Sequence, residues 1–503
     1  MLCSDFPISR RALHFLTGPF VMICISVTPS SRTLAPADLL NASRKADLIE
    51  LCLDHFIKPP DVADLLKLCD KPVLVSCRRR KDGGHWSGTE DERLALLRNT
   101  IVAGPAYIEL ELDIADKIPR FGNTKRVVSH TSLNRPLSNV DEIFEQCYKA
   151  KADVVKFTWP TEDLDAAWPL LAAVTQSREL PVVGQGIGQS GLTFSLLGRK
   201  YGSPWIYAAL EKGMETHAAQ PTVWQLEDEY CWGDISKKTR FIGVVGMGAA
   251  ENTTVRVLNA AFKELDKPIR CLPLMPGSMT RLKKALSIMK INALLVDPMY
   301  DRDLRELCAA DAETAERSGF MDLMTEGKSG WKGRSTFFTA LHNASAAAKG
   351  NENWMQGRAV TVFGTGALAA AIIDDLQSHK AAVSVAAASD NAAMALSKQA
   401  GVRHIPWSAV HATATDGIVL ASNDIRCGVA RGQLNPSLIR ERMMVIDLTK
   451  YPGESEFAIE AQARGAVYVN PSVMFAEQLQ LQFKALTNLE MPMVAFQKGL
   501  AEN

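Results

Sequence analysis

Short apolar runs alternate with segments of helical periodicity through the first half of the chain. MICISV, ADLIELCLD, PVLVSC, AYIELELD, RVVSH, DVVKFT, PVVGQ and TVWQL read as eight strands over roughly residues 22–227. Between them, VDEIFEQCYKA and LDAAWPLLAAVTQS carry apolar residues at helical spacing. Strands alternating with helices predict an α/β fold with a mainly parallel sheet. Eight units over this length fit a closed (β/α)8 TIM barrel, with an open doubly wound sheet as the alternative.

Polarity rises in EDEYCWGDISKKTR, residues 227–240, which predicts a domain boundary. Beyond it, FIGVVGMG reads as a strand entering a tight turn, and TVRVLNAAFKEL as a helix. Later, STFFTALHNASAAAKG is helical. GRAVTVFGTGALAAAIIDDLQSHKAAVSVAAASD then reads as strand, glycine turn, helix, strand. Gly364, Gly366 and Ala367 open that helix, where small residues bring backbone amides close to a pyrophosphate. The three-glycine fingerprint is incomplete, and close helix packing is the alternative use of the small residues.

A chain of 503 residues exceeds one ordinary core and predicts two or three domains. Lys+Arg 56 balance Asp+Glu 56, so charge favours neither nucleic acid nor a membrane surface as partner. Apolar runs stay below the roughly 18 residues of a membrane span. Ten cysteines without a CxxC pair fit buried thiols in a reducing cytoplasm. The histidines lack zinc spacing, so no metal is expected. Residues 1–21 read as an upstream extension, being a poor secretory signal.

Polar residues gather at the C-terminal ends of the candidate barrel strands: Glu50, Cys52, Asp54, Arg78, Glu109, Glu111, Asp113, His130 and Lys156. Period two puts Glu50 with Cys52, and Glu109 with Glu111. In a barrel these ends share one mouth, where chemistry is done. Lys156 stands inside an apolar strand, where burial disfavours its charged form. Such an amine attacks ketones and forms a Schiff base. His130 is the candidate for proton transfer, Glu50 for orienting it, and Arg78 for holding a carboxylate. The alternative is a buried Lys–Glu pair that only holds the barrel together.

The stretches ADLIELCLD, VSCRRRKDGG, YIELELD, VVSH, ADVVKF, GLTFSLLGRKYGS and THAAQ resemble type I 3-dehydroquinate dehydratase over about residues 22–227. The resemblance implies that Lys156 forms an imine with 3-dehydroquinate and that a histidine, most naturally His130, helps water leave. It further implies that Glu50 positions the histidine, that Arg78 binds substrate, and that a late loop contributes Thr216 and Gln220. Four positions depart from the family pattern. Cys52 and Ser195 stand where it has arginines. GQGIG replaces a methionine–glycine stretch, and strict counting puts Thr131, not His130, in the catalytic column unless one residue is deleted.

GVVGMGAAENTTVRVLNAAF, INALLVDPMY, GTGALAAAI, VIDLTKYP and MFAEQLQLQF resemble shikimate dehydrogenase over roughly residues 241–500. The resemblance implies a substrate domain (241–345 and 485–500) and a Rossmann-like domain (355–484), behind a barrel of residues 22–230. Its substrate-binding serines become Asn252 and Thr254, its catalytic lysine Tyr300, its catalytic aspartate Phe337, and a substrate asparagine Asp322. Gln478 matches a family glutamine. The arginine that takes the 2′-phosphate is missing and Asp390 lies nearby, which favours NAD over NADP as cofactor.

The expectation is therefore a dehydratase barrel acting on a small carboxylate substrate without a cofactor. It is fused to a dehydrogenase-like module with weak or absent reductase activity. A cytoplasmic homodimer fits this reading. A repurposed imine-forming lyase or aldolase, and a non-catalytic regulatory protein, stay open as alternatives.

Overall fold

The computed structural model describes residues 21–246, 248–297, 300, 304, 307–308, 320–350 and 354–500, without the side chains of residues 248–252. Nearly all of the N-terminal extension lies outside the described residues, as does the side chain of Asn252. The chain divides into two compact units. One is Met1–Asp228 with Trp232–Lys238, and the other is Glu229–Cys231 with Thr239–Asn503.

The first unit is a nearly closed barrel. Its strands are β1 (Met22–Val27), β2 (Leu48–Cys52), β3 (Val73–Ser76), β4 (Tyr107–Glu111), β5 (Lys125–Thr131), β6 (Val154–Pro160), β7 (Val182–Ile187) and β8 (Trp205–Ala208). They pair in parallel in the order β7-β6-β5-β4-β3-β2-β1-β8. Cys24, Leu48, Leu74, Val127, Val154, Val183, Trp205 and Tyr207 pack together inside it. Two residues further along their strands, Ser26, Glu50, Ser76, Ser129, Lys156 and Gln185 share that interior face, one layer nearer the mouth.

The eighth strand is not TVWQL but WIYA. Met22–Ile25 of β1 pair with Trp205–Ala208. In TVWQL, the Thr222 N–H donates to Gln225 Oε1 (3.0 Å) and the Gln225 N–H to Thr222 Oγ1 (3.2 Å). This reciprocal cap starts a helical turn and withdraws the segment from the sheet.

The second unit holds two sheets. β9 (Arg240–Val245), β10 (Ile269–Pro273), β11 (Ile291–Val296), β12 (Leu323–Gly327) and β13 (Gly330–Arg334) lie in the order β10-β9-β11-β12-β13, the last two antiparallel. β14 (Ala359–Phe363), β15 (Ala382–Ala386), β16 (Arg403–His404), β17 (Gly417–Leu420), β18 (Met444–Asp447) and β19 (Val467–Val469) form a parallel sheet. Its order, β16-β15-β14-β17-β18-β19, is that of a doubly wound dinucleotide fold. Val360, Val362, Val419 and Ile446 pack in one apolar cluster, while Phe363, Ile418, Leu420 and Val445 pack in another, so both faces are covered. No helix of the described residues is long and apolar enough to cross a membrane.

Candidate active site

Lys156 projects from β6 into the barrel and is 1% exposed. Its Nζ donates to Glu109 Oε2 (2.9 Å) and Oε1 (3.2 Å), and stands 4.6 Å from the Tyr207 ring centroid. Burial is the main force lowering its pKa, to about 8; the Arg78 charge adds to it and Glu109 opposes it. Burial pushes the Glu109 carboxyl up, yet Lys156 and Arg78 together hold it below its ordinary range. The amine is therefore paired, but it is poised to lose its proton near neutral pH.

Arg78 links the neighbouring strands. Its guanidinium donates to Glu50 and lies 3.6 Å from Glu109 Oε1. Its backbone N–H donates to Asp54 Oδ1 (3.2 Å). Glu50 Oε2 accepts from Ser26 Oγ (2.8 Å), which in turn accepts from Gln220 Nε2 (3.5 Å). Gln220 Oε1 accepts from the Thr216 N–H (2.6 Å) and from Thr216 Oγ1 (3.0 Å). One polar chain thus runs from the late loop through β1 and β2 to Arg78. The structure brings Lys156, Arg78, Glu50, Thr216 and Gln220 into a connected set.

It does not bring His130 into that set. Ser129 is opposite Lys156 in the unbroken β5–β6 register, and Val127 lies in the interior cluster, so His130 faces the other way. It lines an open cavity of about 780 Å³ with Arg79, Asp82, Glu111, Asp113 and Lys149. Burial lowers the His130 pKa, while Asp82 and Asp113 pull it up. Thr131 takes the interior position, opposite Thr158, whose hydroxyl donates to Gln185 Oε1 (3.5 Å). Glu50 orients no histidine here, because its carboxylate is engaged by Arg78 and Ser26.

Two residues to which the sequence reading gave no catalytic or substrate role enter the site. Glu109 is the partner of Lys156, a pairing across β5 set by the stagger of the barrel. His217 lies half-buried between Thr216 and Gln220 in the same THAAQ stretch. Burial lowers its pKa, and the Arg78 and Lys156 charges lower it further. The histidine inside a loop already assigned to substrate was the available signal.

At the two positions where the resembled family has arginines, Cys52 and Ser195 make local contacts. Cys52 is buried with its thiol accepting from Ser76 Oγ (3.7 Å), and Ser195 Oγ donates back to Gly191 O (3.0 Å) in its own helix. The Arg199 guanidinium donates to Ile235 O (3.0 Å) and Gly233 O (2.9 Å) and stacks on Trp232 at 4.2 Å, which is a structural use. Asp54, His55 and His85 lie close together, as do His342, Asp375 and His379. Hydrogen bonds account for both groups. Asp54 accepts from the backbone N–H of Arg78 and of His85 (2.8 Å), and His342 Nε2 binds Asp375 at 2.9 Å.

In the second unit, Asp322 is fully buried and accepts from the Thr336 N–H and Oγ1 (both 2.6 Å) and from Gln478 Nε2 (2.6 Å). Burial pushes its pKa up, against these donors. Gln478 also accepts from the Tyr451 hydroxyl, so it is held within the fold. Thr254, expected to touch substrate, is fully buried on the face of helix Gly248–Glu264 that carries Val257, Leu258 and Ala261. Phe337 is 0% exposed, packed among Phe320, Phe338 and Tyr451. Tyr300 covers the glycine turn after β9, where a Cβ on Gly246 would meet its ring at 2.3 Å.

The turn after β14 suits a dinucleotide. Gly364 has φ +133, and a Cβ there would meet Ala421 O at 2.8 Å. Helix Ala367–Ser378 starts at Gly366 without a side-chain cap, and a Cβ on Gly366 meets nothing within 4 Å. Its free N–H groups fit a pyrophosphate. Asp390 Oδ1 accepts from the Trp407 N–H (2.9 Å) and lies 3.3 Å from His404 Nε2.

The family model for type I 3-dehydroquinase matches residues 23–236, so the barrel is a type I 3-dehydroquinase domain. The whole chain is arranged as that domain fused to a region similar to shikimate dehydrogenase. It is 24% identical over 474 residues to the chloroplastic bifunctional 3-dehydroquinate dehydratase/shikimate dehydrogenase of Arabidopsis thaliana, covering 89% of this chain and 78% of that protein. A 3-dehydroquinate dehydratase of Dehalococcoides mccartyi is 26% identical over 214 residues, 41% of this chain and 94% of that one. Among solved structures, a dehydroquinate dehydratase and shikimate dehydrogenase from S. pombe aligns over 96% of this chain and 99% of that one, at 15% identity and a TM-score of 0.40.

Proposed function

We propose that the barrel dehydrates 3-dehydroquinate to 3-dehydroshikimate through an imine on Lys156, and that the second unit binds NAD without reducing 3-dehydroshikimate efficiently. One observation carries the first part. A buried amine faces the barrel interior with its pKa lowered to about 8, beside an arginine suited to a carboxylate. Glu109 pairs with the protonated resting amine, and the fraction of Lys156 that has lost its proton attacks the ketone. Arg78 holds the substrate carboxylate, while Thr216 and Gln220 close over it. With Cys52 and Ser195 in place of arginines, binding is weak: a lost buried charged partner costs about 2–5 kcal/mol.

Borohydride added with 3-dehydroquinate tests this reading. The expected product is one stable mass adduct mapping to Lys156. If no shikimate-pathway ketone yields an adduct, the barrel binds without covalent chemistry and the reading is lost.

For the second unit, Gly364, Gly366 and Ala367 would hold the pyrophosphate, and the cofactor in its reduced form, NADH, would supply the hydride for a ketone reduction. The negative charge of Asp390 near the adenosine ribose disfavours the extra phosphate of NADP. Phe337 carries no proton. Fluorescence titration is expected to show tighter binding of NAD than of NADP, with no saturable turnover of 3-dehydroshikimate. Efficient NADPH-dependent reduction would refute this part.

A further inference from the structure

We propose that His217, not His130, is the base that removes the proton beside the imine carbon formed on Lys156. This rests on the imine reading above and names the residue that completes it. The interior face of β5 offers only the hydroxyls of Ser129 and Thr131 near Lys156, because the register pairs His130 with Phe157 on the other face. An imidazole must therefore come from elsewhere.

The chain following β8 supplies one. The Ala209 N–H donates to Pro221 O and the Val223 N–H to Ala209 O (both 2.9 Å), so residues 210–220 leave and return at the C-terminal end of β8. That is the mouth end of the barrel. Gln220, buried at the foot of the loop, ties it to Ser26 and Thr216. His217 Nδ1 lies 3.0 Å from Ala218 O. A carbonyl oxygen only accepts, so Nδ1 carries the hydrogen and Nε2 keeps its lone pair. The charges of Lys156 and Arg78 both act on this ring and favour its neutral, basic form.

The chemistry balances. The Lys156 amine adds to the ketone and water leaves, giving an iminium. His217 Nε2 takes the proton from the adjacent carbon, and the C–H electron pair forms an enamine and neutralises the nitrogen. The enamine expels the hydroxyl from the next carbon, while the imidazolium returns its proton to that oxygen, so water departs. Water then hydrolyses the conjugated iminium and frees Lys156. The net change is loss of one water from a β-hydroxyketone.

The test compares His217→Ala and His130→Ala in the full chain, reading turnover of 3-dehydroquinate and borohydride trapping together. For H217A, turnover is expected to fall by about 10²–10⁴-fold, the usual worth of a positioned base, with the Lys156 adduct retained. H130A is expected to keep wild-type turnover. Near-normal turnover in H217A, or a matching loss in H130A, overturns the proposal. So does loss of the adduct along with turnover in H217A, which would make the ring a binding group. A wild-type chain that forms no adduct is a different failure: it removes the imine reading, and this proposal with it.

Discussion

Replacing Lys156 with alanine is expected to bring turnover of 3-dehydroquinate to the background rate and to abolish the borohydride adduct. The size of the effect follows from the amine's environment. Its pKa lies at about 8 against an ordinary 10.5. At pH 7 that leaves roughly 300-fold more free amine than an exposed lysine offers, the equivalent of roughly 3 kcal/mol. The sign fixes a pH dependence. The free amine is the nucleophile, so turnover should rise from pH 7 and pass half its plateau at about 8. Arg78→Met removes a charge that lowers the Lys156 pKa. It should move that limb to higher pH and raise KM as well. A flat profile between pH 6 and 9 with normal turnover in K156A would remove the amine from the mechanism.

Both fold types were legible because each rests on local patterns. The strand–helix alternation of residues 22–227 and the glycine turn of FGTGA are written in contiguous residues. The eighth strand was missed for an equally local reason. Thr222 and Gln225 form a reciprocal cap that sequence spacing could have shown, while WIYA hid behind the Gly202–Ser203–Pro204 break.

The face of His130 could not be read from alternation. Val127 and Val128 are both buried, because a barrel strand is covered on its inner and its outer side. Hydrophobicity then carries no sign, and the orientation of VVSH depends on the register with β6. The Lys156–Glu109 contact was hidden likewise, since it joins β4 to β6 across an intervening strand. Strict counting against the resembled family had placed Thr131 in the column, and the pairing Thr131 with Thr158 follows that count.

Restoring the family's acid at position 337 should damage the second unit rather than revive it. Phe337 is fully buried, with ring centroids 5.5 Å from Phe320, 5.4 Å from Phe338 and 5.9 Å from Tyr451. Removing such a ring leaves a cavity costing about 3–5 kcal/mol, before any cost of burying a carboxylate. The nearby polar groups are already committed: Thr336 and Gln478 donate to Asp322, and Tyr451 donates to Gln478. A second buried acid beside Asp322 would meet like charge and few free donors. Phe337→Asp is therefore expected to lower the unfolding transition of the second unit by at least about 3 kcal/mol, with no gain in 3-dehydroshikimate reduction. Tyr300, which the resemblance sets in the lysine column, would still cover the Gly246 turn. Saturable reduction in F337D at near-normal stability would mean that this pocket had kept its catalytic shape and lost only one proton carrier. The aromatic packing described above would then be a late filling of an intact site.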